Sequence, residues 1–428
     1  MNEKLRAGWL GLLSLLVAAM PLSFAVVWHA KVLPVTVLLL TGLSLLVSRA
    51  ATRRSYRLAR PVVIACGLGL LYTALNILGH RLGWTAFDTP SHILLFMLTA
   101  AVFTLPLRMR WVWLGFSLTA ILLGSVCIVQ HFVFGIDRAY GLNGGDWGAI
   151  EFAMVILTLS LMSWLQVLFP VGDYIAGRFP ATRYLELCVH GAGAVFGMYG
   201  ALLTQSRGPL LAFVPVLLLL LLIFARRTQQ WRRSLLLIGA IVAGGVLAGV
   251  SVHGVVAGRL AAVQSEVSSY NHQTAAVGAV RERLEMWRTA SQAFLSHPLA
   301  GVGIDQFGVY VRQQVAAGHA NPAIAKYDHP HNEYLEAAAT GGMPGLLVLL
   351  LMFGLPLGYF ARHVRHANEA VAVPACAGMA VVGMYVLCGL SDNVFYRPMP
   401  HSMYFFLVLG FAVLIGQLTS THEVAQHG

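Results

Sequence analysis

Long apolar runs separated by short polar loops extend over almost the whole of this chain. Runs of about 18 or more apolar residues with few charges are typical of transmembrane helices. Of the 428 residues, 58% are hydrophobic and only 11% are charged, and a soluble domain would carry far more charge. The sequence predicts an all-α polytopic membrane protein with about twelve transmembrane helices, at 8–28, 32–48, 61–79, 92–107, 111–134, 152–171, 184–204, 209–225, 235–252, 343–361, 371–390 and 403–419.

The basic residues of the short loops predict the orientation in the membrane. The formal net charge is +11, but the arginines cluster between apolar runs, so we do not expect nucleic acid as a partner. Loops rich in Lys and Arg stay in the cytoplasm, which places both termini inside together with loops 49–60, 108–110, 172–183, 226–234 and 362–370. The chain then divides into nine helices (1–252), one large outer loop with helices of its own (253–342), and three helices with a cytoplasmic C-terminus (343–428).

The outer loop carries arginines that topology does not explain. Residues 278–296 have helical periodicity, with Val280, Leu284, Trp287 and Phe294 on one face. Arg281 and Arg288 flank that face, Glu282 and Glu285 point away from it, and Arg283 projects beside Trp287. Arg283 either binds a ligand or is structural, snorkelling or pairing with a carboxylate.

The segment KYDHPHNEYLE, from Lys326 to Glu336, places a proline between His329 and His331. The residue before a proline avoids the α region, and Pro330 suits the first position of a helix. We therefore predict that His331 and Asn332 lie in a first helical turn, where the helix dipole keeps an imidazole neutral and free N–H groups bind anions. A base beside an anion site favours group transfer from a phosphorylated donor.

Arg207 stands at the outer end of the eighth predicted span, followed by Gly208 and Pro209. A guanidinium at a helix start suits phosphate oxygens, whereas the alternative is an interfacial anchor. Residues 297–308 contain Gly301 and Gly303, which predict a tight turn and are weak evidence for phosphate binding.

Two further outer loops are candidates for substrate contact. Loop 135–151 contains Trp147, which either stacks on a sugar ring or is an aromatic-belt residue at the membrane interface. Loop 391–402 brings Asp392, Tyr396 and Arg397 to the outer face, and Arg397 is a second candidate phosphate ligand.

Four motifs occur in a fixed order along the second half of the chain: SRG at 206–208, RLEMW at 283–287, PLAGVG at 298–303, and HPHNEYLE with GGMPG at 329–345. Together with about twelve spans and one large outer loop, this order resembles the O-antigen ligase and O-antigen polymerase superfamily of bacterial envelope glycosyltransferases. The first half matches that superfamily only in hydropathy. The compact length is more similar to the lipopolysaccharide ligases than to the protein-directed oligosaccharyltransferases.

The resemblance implies a GT-C-like enzyme of the bacterial inner membrane with its active site in the periplasm. The donor would be a glycan on undecaprenyl pyrophosphate, and the acceptor a sugar hydroxyl of lipid A–core, with membrane lipid around both. The family's arginines match Arg207 and Arg283, which would bind the pyrophosphate, and its histidine matches His331, the general base of an inverting transfer. Substrate contacts are assigned to Arg281, Arg288, His329, Asn332, Tyr334, Arg397 and Trp147.

Neither a cofactor nor a metal is expected. His329 and His331, with Asp328 and Glu333, can be drawn as a metal site, but two histidines on either side of Pro330 do not share a helix face as an HExxH pair does. An O-antigen polymerase is the alternative within the superfamily. A small-anion transporter is the alternative from another class, although no repeat of two related halves is visible.

Overall fold

The computed structural model describes residues 3–26, 32–142, 148–169, 181–232, 234–236, 239 and 278–427. Within them the fold is all helical, as the sequence predicts. The α-helices, numbered for these described residues, are α1 Glu3–Ala25, α2 Val32–Ser48, α3 Ala50–Leu58, α4 Arg60–Gly79, α5 Asp88–Thr99, α6 Met109–Phe132, α7 Ala149–Leu168, α8 Ala181–Leu203, α9 Arg207–Thr228, α10 Ala279–Ser296, α11 Phe307–Ala316, α12 Glu333–His363, α13 Glu369–Cys388 and α14 Pro398–His427. Short 3-10 helices occupy Trp84–Phe87, Ala100–Thr104 and Pro322–Ile324.

The membrane-spanning prediction is confirmed for the described residues. The sequence predicts eleven spans in this part of the chain. The structure has ten helices there that are long and apolar enough to cross a membrane, or eleven if α2 and α3, which meet at a 99° bend, count as one span. The predicted second span, 32–48, is the first helix of this bent pair. The twelfth, 235–252, lies almost wholly outside the described residues.

The interior of the bundle is formed by α7, α13 and α14, which are buried along most of their membrane-spanning length. The helix α13 packs against α7, α9, α12 and α14, while α6 packs against α7 and α8. The helices α9 and α12 begin at one end of the bundle, and we call this end the site end. Their last turns lie together at the opposite end, where the Arg227 guanidinium donates to the carbonyl of Val364 at 2.6 Å.

The helix α12 is kinked at Gly342, whose φ of 63° and ψ of −158° are not helical. A kink leaves carbonyl groups without their intrahelical donors, and these groups need other partners. The turn predicted at Gly301 and Gly303 supplies them: the N–H of Val302 donates to the carbonyl of Ala339, and that of Gly303 to the carbonyl of Thr340, both at 2.9 Å. These N–H groups are therefore bonded to α12 rather than free to bind phosphate.

The helix predicted at 278–296 exists as α10, but its buried face differs from the prediction. Met286, Ala290 and Ala293 are buried, and so are Glu285 and Thr289. The prediction that Glu285 points away is wrong, because its carboxylate accepts from the backbone N–H of Asn321 at 3.2 Å and pairs with Arg288. Small side chains on this face let α10 pack closely on α12, and Val280, Leu284, Trp287 and Phe294 remain half-buried.

Candidate active site

The histidine loop, residues 327–332, leads directly into the first turn of α12 at the site end. Asn332 is the N-cap of α12, and its side-chain oxygen accepts from the backbone N–H groups of Tyr334 and Leu335 at 3.0 Å. Asparagine is among the strongest N-cap residues. The helix consequently starts three residues after Pro330, and the prediction that His331 and Asn332 lie inside the first turn is wrong.

His331 lies just outside the helix, in the left-handed region with a φ of 51°. Its Nδ1 is 2.8 Å from Oδ1 of Asp392, in the segment that joins α13 to α14. The same carboxylate oxygen accepts from the backbone N–H of Asn393 at 2.9 Å. Because the carboxylate can only accept a hydrogen bond, Nδ1 of His331 carries a proton and Nε2 of the neutral ring keeps a lone pair. This is the arrangement in which an acid orients a histidine for general-base work.

His329 lies beside His331, with ring centroids 4.4 Å apart. Its Nδ1 is 3.2 Å from Oδ1 of Asn393, an oxygen that also accepts from the N–H of Asn332 at 3.0 Å. Burial, and next the charge that His331 can carry, lower the pKa of His329 to about 4. His329 is therefore neutral near pH 7, with its proton on Nδ1. Its ring also lies 4.4 Å from that of Tyr396.

The two histidines and Asp392 form a group that can hold a metal ion. One ligand atom from each lies within 4.8 Å of the other two. The two histidines do not share a helix face, since both lie before the start of α12, but the left-handed backbone of His331 brings its ring beside that of His329. The other acids of the predicted group lie elsewhere: Asp328 pairs with Arg312 at 3.0 Å, and Glu333 accepts from the N–H of Phe395 at 3.2 Å. Three neutral or anionic ligands match the donor set of zinc sites.

Arg207 is the first residue of α9, with Ser206 before it as the N-cap. Its side chain is exposed and, among the described residues, has neither a hydrogen bond nor an ion pair. The next residue, Gly208, packs so closely on Ser391 that a Cβ there would overlap the Ser391 hydroxyl. Ser391 precedes Asp392, so the start of α9 lies beside the segment that holds His331.

Arg283 lies on α10, one turn before Trp287. The Trp287 indole donates from Nε1 to the carbonyl of Pro330 at 3.0 Å, which attaches this face of α10 to the histidine loop. A second contact between α10 and this region is made by the Glu282 carboxylate. It accepts hydrogen bonds from the Tyr327 hydroxyl and from Nζ of Lys326, the latter at 3.2 Å. Arg283 itself is half-buried and has no hydrogen bond or ion pair within the part of the chain that the structure describes. Arg207 and Arg283 thus flank the loop of His331 from two different helices.

The other predicted substrate-contact residues have mixed surroundings. Arg288 pairs with the buried Glu285 at 3.2 Å, Asn332 caps α12, and Tyr334 donates through its hydroxyl to the carbonyl of Val386 at 2.8 Å, so these three side chains have structural partners. Arg281 is half-buried on α10. Trp147 lies outside the described residues.

Two carboxylates at this site were not assigned a role from the sequence. Asp392 orients His331, although the two residues are 61 positions apart. Glu151, in the first turn of α7, lies 3.6 Å from Nε of Arg397 and so connects α7 to the segment that carries Asp392. No local pattern marks either pairing, because both arise from the packing of separate helices.

Comparison with known proteins supports the resemblance. Residues 192–350 match a family model described as O-antigen ligase. An uncharacterized protein of Haemophilus influenzae is 21% identical over 343 residues, which cover 79% of this chain and 82% of that protein. The segment that carries Arg207, Arg283 and His331 therefore matches the O-antigen ligase family, which confirms the superfamily resemblance seen in the sequence.

Proposed function

We propose that this protein is an inverting, metal-independent glycosyltransferase that moves O-antigen glycan from undecaprenyl pyrophosphate to a sugar hydroxyl of lipid A–core. The observation that carries the proposal is the pairing of His331 with Asp392. It leaves one imidazole lone pair on a loop that lies next to α9 and α10, and Arg207 and Arg283 of these helices have no partner among the described residues. The side chains of such arginines are available to an anionic ligand, and the histidine is available to a hydroxyl.

The proposed reaction forms one bond and breaks one. The acceptor hydroxyl attacks the anomeric carbon on the face opposite the pyrophosphate, and the bond from that carbon to the phosphate oxygen breaks. The hydroxyl proton passes to Nε2 of His331, which the Asp392 carboxylate stabilises as an imidazolium. Arg207 and Arg283 stabilise the negative charge that develops on the leaving undecaprenyl pyrophosphate. Attack from the opposite face inverts the anomeric configuration.

The proposed location is the bacterial inner membrane, with the site end in the periplasm and both termini in the cytoplasm. Two helices support this orientation directly. The helix α9 begins with Arg207 at the site end and finishes with Arg226 and Arg227, and α12 begins beside the histidine loop and finishes with Arg362. The basic loops therefore lie at the end opposite His331, which is the cytoplasmic end by the positive-inside rule. A lipid-linked donor suits a compartment without nucleotide sugars.

The proposal is tested by in vitro transfer from undecaprenyl-pyrophosphate glycan to purified lipid A–core, with and without EDTA. We expect full activity with the chelator, and its loss would contradict the metal-independent step. His331→Ala should reduce the rate by about 10²–10⁴-fold, the usual contribution of a general base. The matched control is His319→Ala, since His319 is an exposed residue outside the histidine loop.

A second acceptor in the same assay distinguishes a ligase from a polymerase. A ligase produces core-linked glycan, whereas a polymerase lengthens the lipid-linked glycan when no core acceptor is present. The expected product is core-linked glycan alone. Lengthened lipid-linked glycan in the absence of core would identify the protein as a polymerase instead.

A further inference from the structure

A cavity of about 560 Å³ adjoins the histidine loop at the site end. Its walls come from α4, the start of α5, the first turns of α12 and the segment between α13 and α14. Asn393 and Tyr396 line it, and both of these residues contact His329. The cavity is therefore next to the histidine pair, and a ring of one sugar fits within its volume.

The cavity is lined by carboxylates and hydroxyls. The carboxylates are Asp305, Asp328, Glu333 and Glu336, and the hydroxyls are those of Tyr72, Thr73, Thr85, Thr89, Tyr396 and Thr340. One cation, Arg397, also reaches the lining, but it pairs with Glu151. Asp328 pairs with Arg312. The other three carboxyl groups, those of Asp305, Glu333 and Glu336, have no cation of their own in the lining, so no unpaired positive charge is available here to bind a phosphate group.

Two buried polar atoms at this cavity have no hydrogen-bond partner among the described residues. Asn393 is 2% exposed, and its Oδ1 is identified as the oxygen because it accepts from the backbone N–H of Asn332. Its Nδ2 is therefore a donor, and this donor has no acceptor. Oε2 of Glu336, which accepts a hydrogen bond when the carboxyl is ionised and can donate one when it is protonated, also has no partner. Buried polar groups in folded proteins almost always have partners, so these two atoms point to a ligand.

A hydroxyl group satisfies both kinds of atom, because it donates one hydrogen bond and accepts others. A sugar presents several hydroxyls on one ring, whereas an ionised phosphate oxygen only accepts hydrogen bonds and finds no unpaired cation in this lining. Asn393 also follows Asp392 directly, so a sugar bound here is close to the base that Asp392 orients.

We propose that this cavity binds the acceptor glycan, through a sugar ring that is uncharged or carries an amino group. This proposal rests on the proposed function. The donor's pyrophosphate occupies the arginine side of the histidine loop, and the acceptor sugar occupies the acidic side. His331 lies between them and takes the proton of the attacking hydroxyl.

The test compares Glu336→Gln with wild type, because this substitution keeps the size of the side chain and replaces one carboxyl oxygen with an NH₂ group. Purified enzyme in lipid nanodiscs is assayed with each substrate varied in turn. We expect the KM for lipid A–core to rise about tenfold, the effect of losing one buried hydrogen bond, while the KM for the lipid-linked donor stays unchanged. The matched control is Glu369→Gln, an exposed acid at the opposite end of the bundle. An unchanged acceptor KM, or an equal rise in the donor KM, overturns the proposal.

A binding measurement keeps this proposal separate from the proposed function. The probe is core oligosaccharide freed of lipid, in its phosphorylated and enzymatically dephosphorylated forms, followed by saturation-transfer NMR. Wild type and Arg207→Ala should bind the dephosphorylated form equally, and Glu336→Gln should bind it more weakly. Equal binding by wild type and Glu336→Gln, or no binding by wild type, refutes the cavity assignment. Failure of wild type to transfer glycan to core refutes the proposed function, whatever the binding result.

Discussion

At the scale of single residues, the site depends on which nitrogen of each histidine carries the proton. Asp392 fixes the proton of His331 on Nδ1, and Asn393 fixes that of His329 on Nδ1. Both rings therefore keep Nε2 as the acceptor. Asp392 and Asn393 are consecutive, so a two-residue stretch between α13 and α14 sets the tautomers of both histidines. His331 is the candidate base because its Nδ1–H donates to a carboxylate, which orients the ring with Nε2 available to a hydroxyl.

Asp392→Asn should reduce kcat by about 10²-fold or more, because an amide can present its NH₂ group to Nδ1 and favour the wrong tautomer of His331. The KM for the donor should stay near the wild-type value, since the arginines are unchanged. The measurement is the transfer assay with separate kcat and KM values. Glu369→Gln is the matched control, because Glu369 is an exposed acid at the opposite end of the bundle. A normal kcat in Asp392→Asn would show that His331 needs no oriented tautomer.

The low pKa of His329 predicts a loss of stability in mild acid. An unfolded histidine has a pKa near 6.5, and that of His329 in the fold is about 4. Between these values the unfolded chain binds more protons, so the free energy of unfolding falls as the pH decreases from about 6.5 to about 4. His329→Gln should lose less stability over this interval than wild type does. Thermal unfolding in nanodiscs between pH 7 and pH 4.5 measures the difference, and parallel curves would contradict the expectation.

The sequence marks His331, Arg207 and Arg283 as candidates because each breaks a local pattern: a histidine after a proline, and arginines in segments predicted to lie on the outer side, which basic residues usually avoid. It does not indicate the role of Asp392, because nothing near residue 392 points to a partner at residue 331. The predicted helix start is three residues too early, because Pro330 favours the first helical position whereas Asn332 is the stronger N-cap. Local sequence patterns therefore predict the position of the histidine loop, and the N-cap Asn332 determines where the loop ends and α12 begins.

At the scale of elements, two contacts hold the histidine loop in place. The kinked start of α12 is wrapped by the turn at residues 298–303, with the N–H of Met343 donating back to the carbonyl of Pro298 at 2.8 Å. The helix α10 contacts the loop from the other side through Trp287. Both elements come from the region that sequence analysis assigned to one outer loop. Their interlocking explains how a site built on a loop keeps a fixed geometry.

Gly342→Ala should destabilise the fold by at least ~1–3 kcal/mol, because the positive φ of Gly342 is strained for any other residue. The new Cβ would also lie 2.6 Å from the carbonyl oxygen of Pro298. The matched control is Gly354→Ala in the same helix, where nothing lies within 4 Å of the added Cβ. Alanine there should be neutral or stabilise α12 by up to about 1 kcal/mol. Denaturation of both variants tests the kink, and equal stabilities would contradict it.

Trp287→Phe should raise the KM for the lipid-linked donor several-fold. The phenyl ring keeps most of the packing volume but removes the donor to the carbonyl of Pro330, so the face of α10 that carries Arg283 is held less firmly. Loss of one such hydrogen bond costs about 1 kcal/mol, or roughly fivefold in an equilibrium constant. The control is Trp231→Phe, an exposed residue near the end of α9. A donor KM equal to that of wild type would show that Arg283 is positioned without this bond.

The hydrophobic periodicity of the sequence predicts where helices form. It predicts less well which face of each helix is buried. The prediction for α10 ranked its faces by hydrophobicity, whereas the fold buries the face with alanines because α12 approaches closely there. Glu285 is tolerated on that face because a backbone N–H and Arg288 satisfy it. The bend between α2 and α3 is likewise not marked in the sequence. Arg49 separates the two helices, and neither a glycine nor a proline lies near it.

At the scale of the whole molecule, the proposed active site and the basic loops predicted to be cytoplasmic lie at opposite ends of the helix bundle. The proposed site gathers Arg207 and Arg283, which have no partner in the described part of the chain, two histidines and the cavity lined by carboxyl groups at one end. The loops at the other end carry arginines that contact backbone carbonyls, as Arg227 does with Val364 and His366. A single-sided distribution of this kind is what an enzyme needs when its lipid-linked donor presents its head group on one face of the membrane.

The proposed orientation can be tested by cysteine labelling of intact cells with a membrane-impermeant maleimide, in a background whose five native cysteines are replaced by alanine. Asp137→Cys reports on the site end, because Gln205 beside Arg207 donates to the carbonyl of Asp137. Arg365→Cys, in the exposed loop after α12, reports on the opposite end. The positive-inside rule predicts that the Asp137→Cys variant is labelled from outside and that the Arg365→Cys variant is labelled after the membrane is permeabilised. The reverse pattern would place His331 in the cytoplasm, where a reaction on a periplasmic lipid-linked glycan has no substrate.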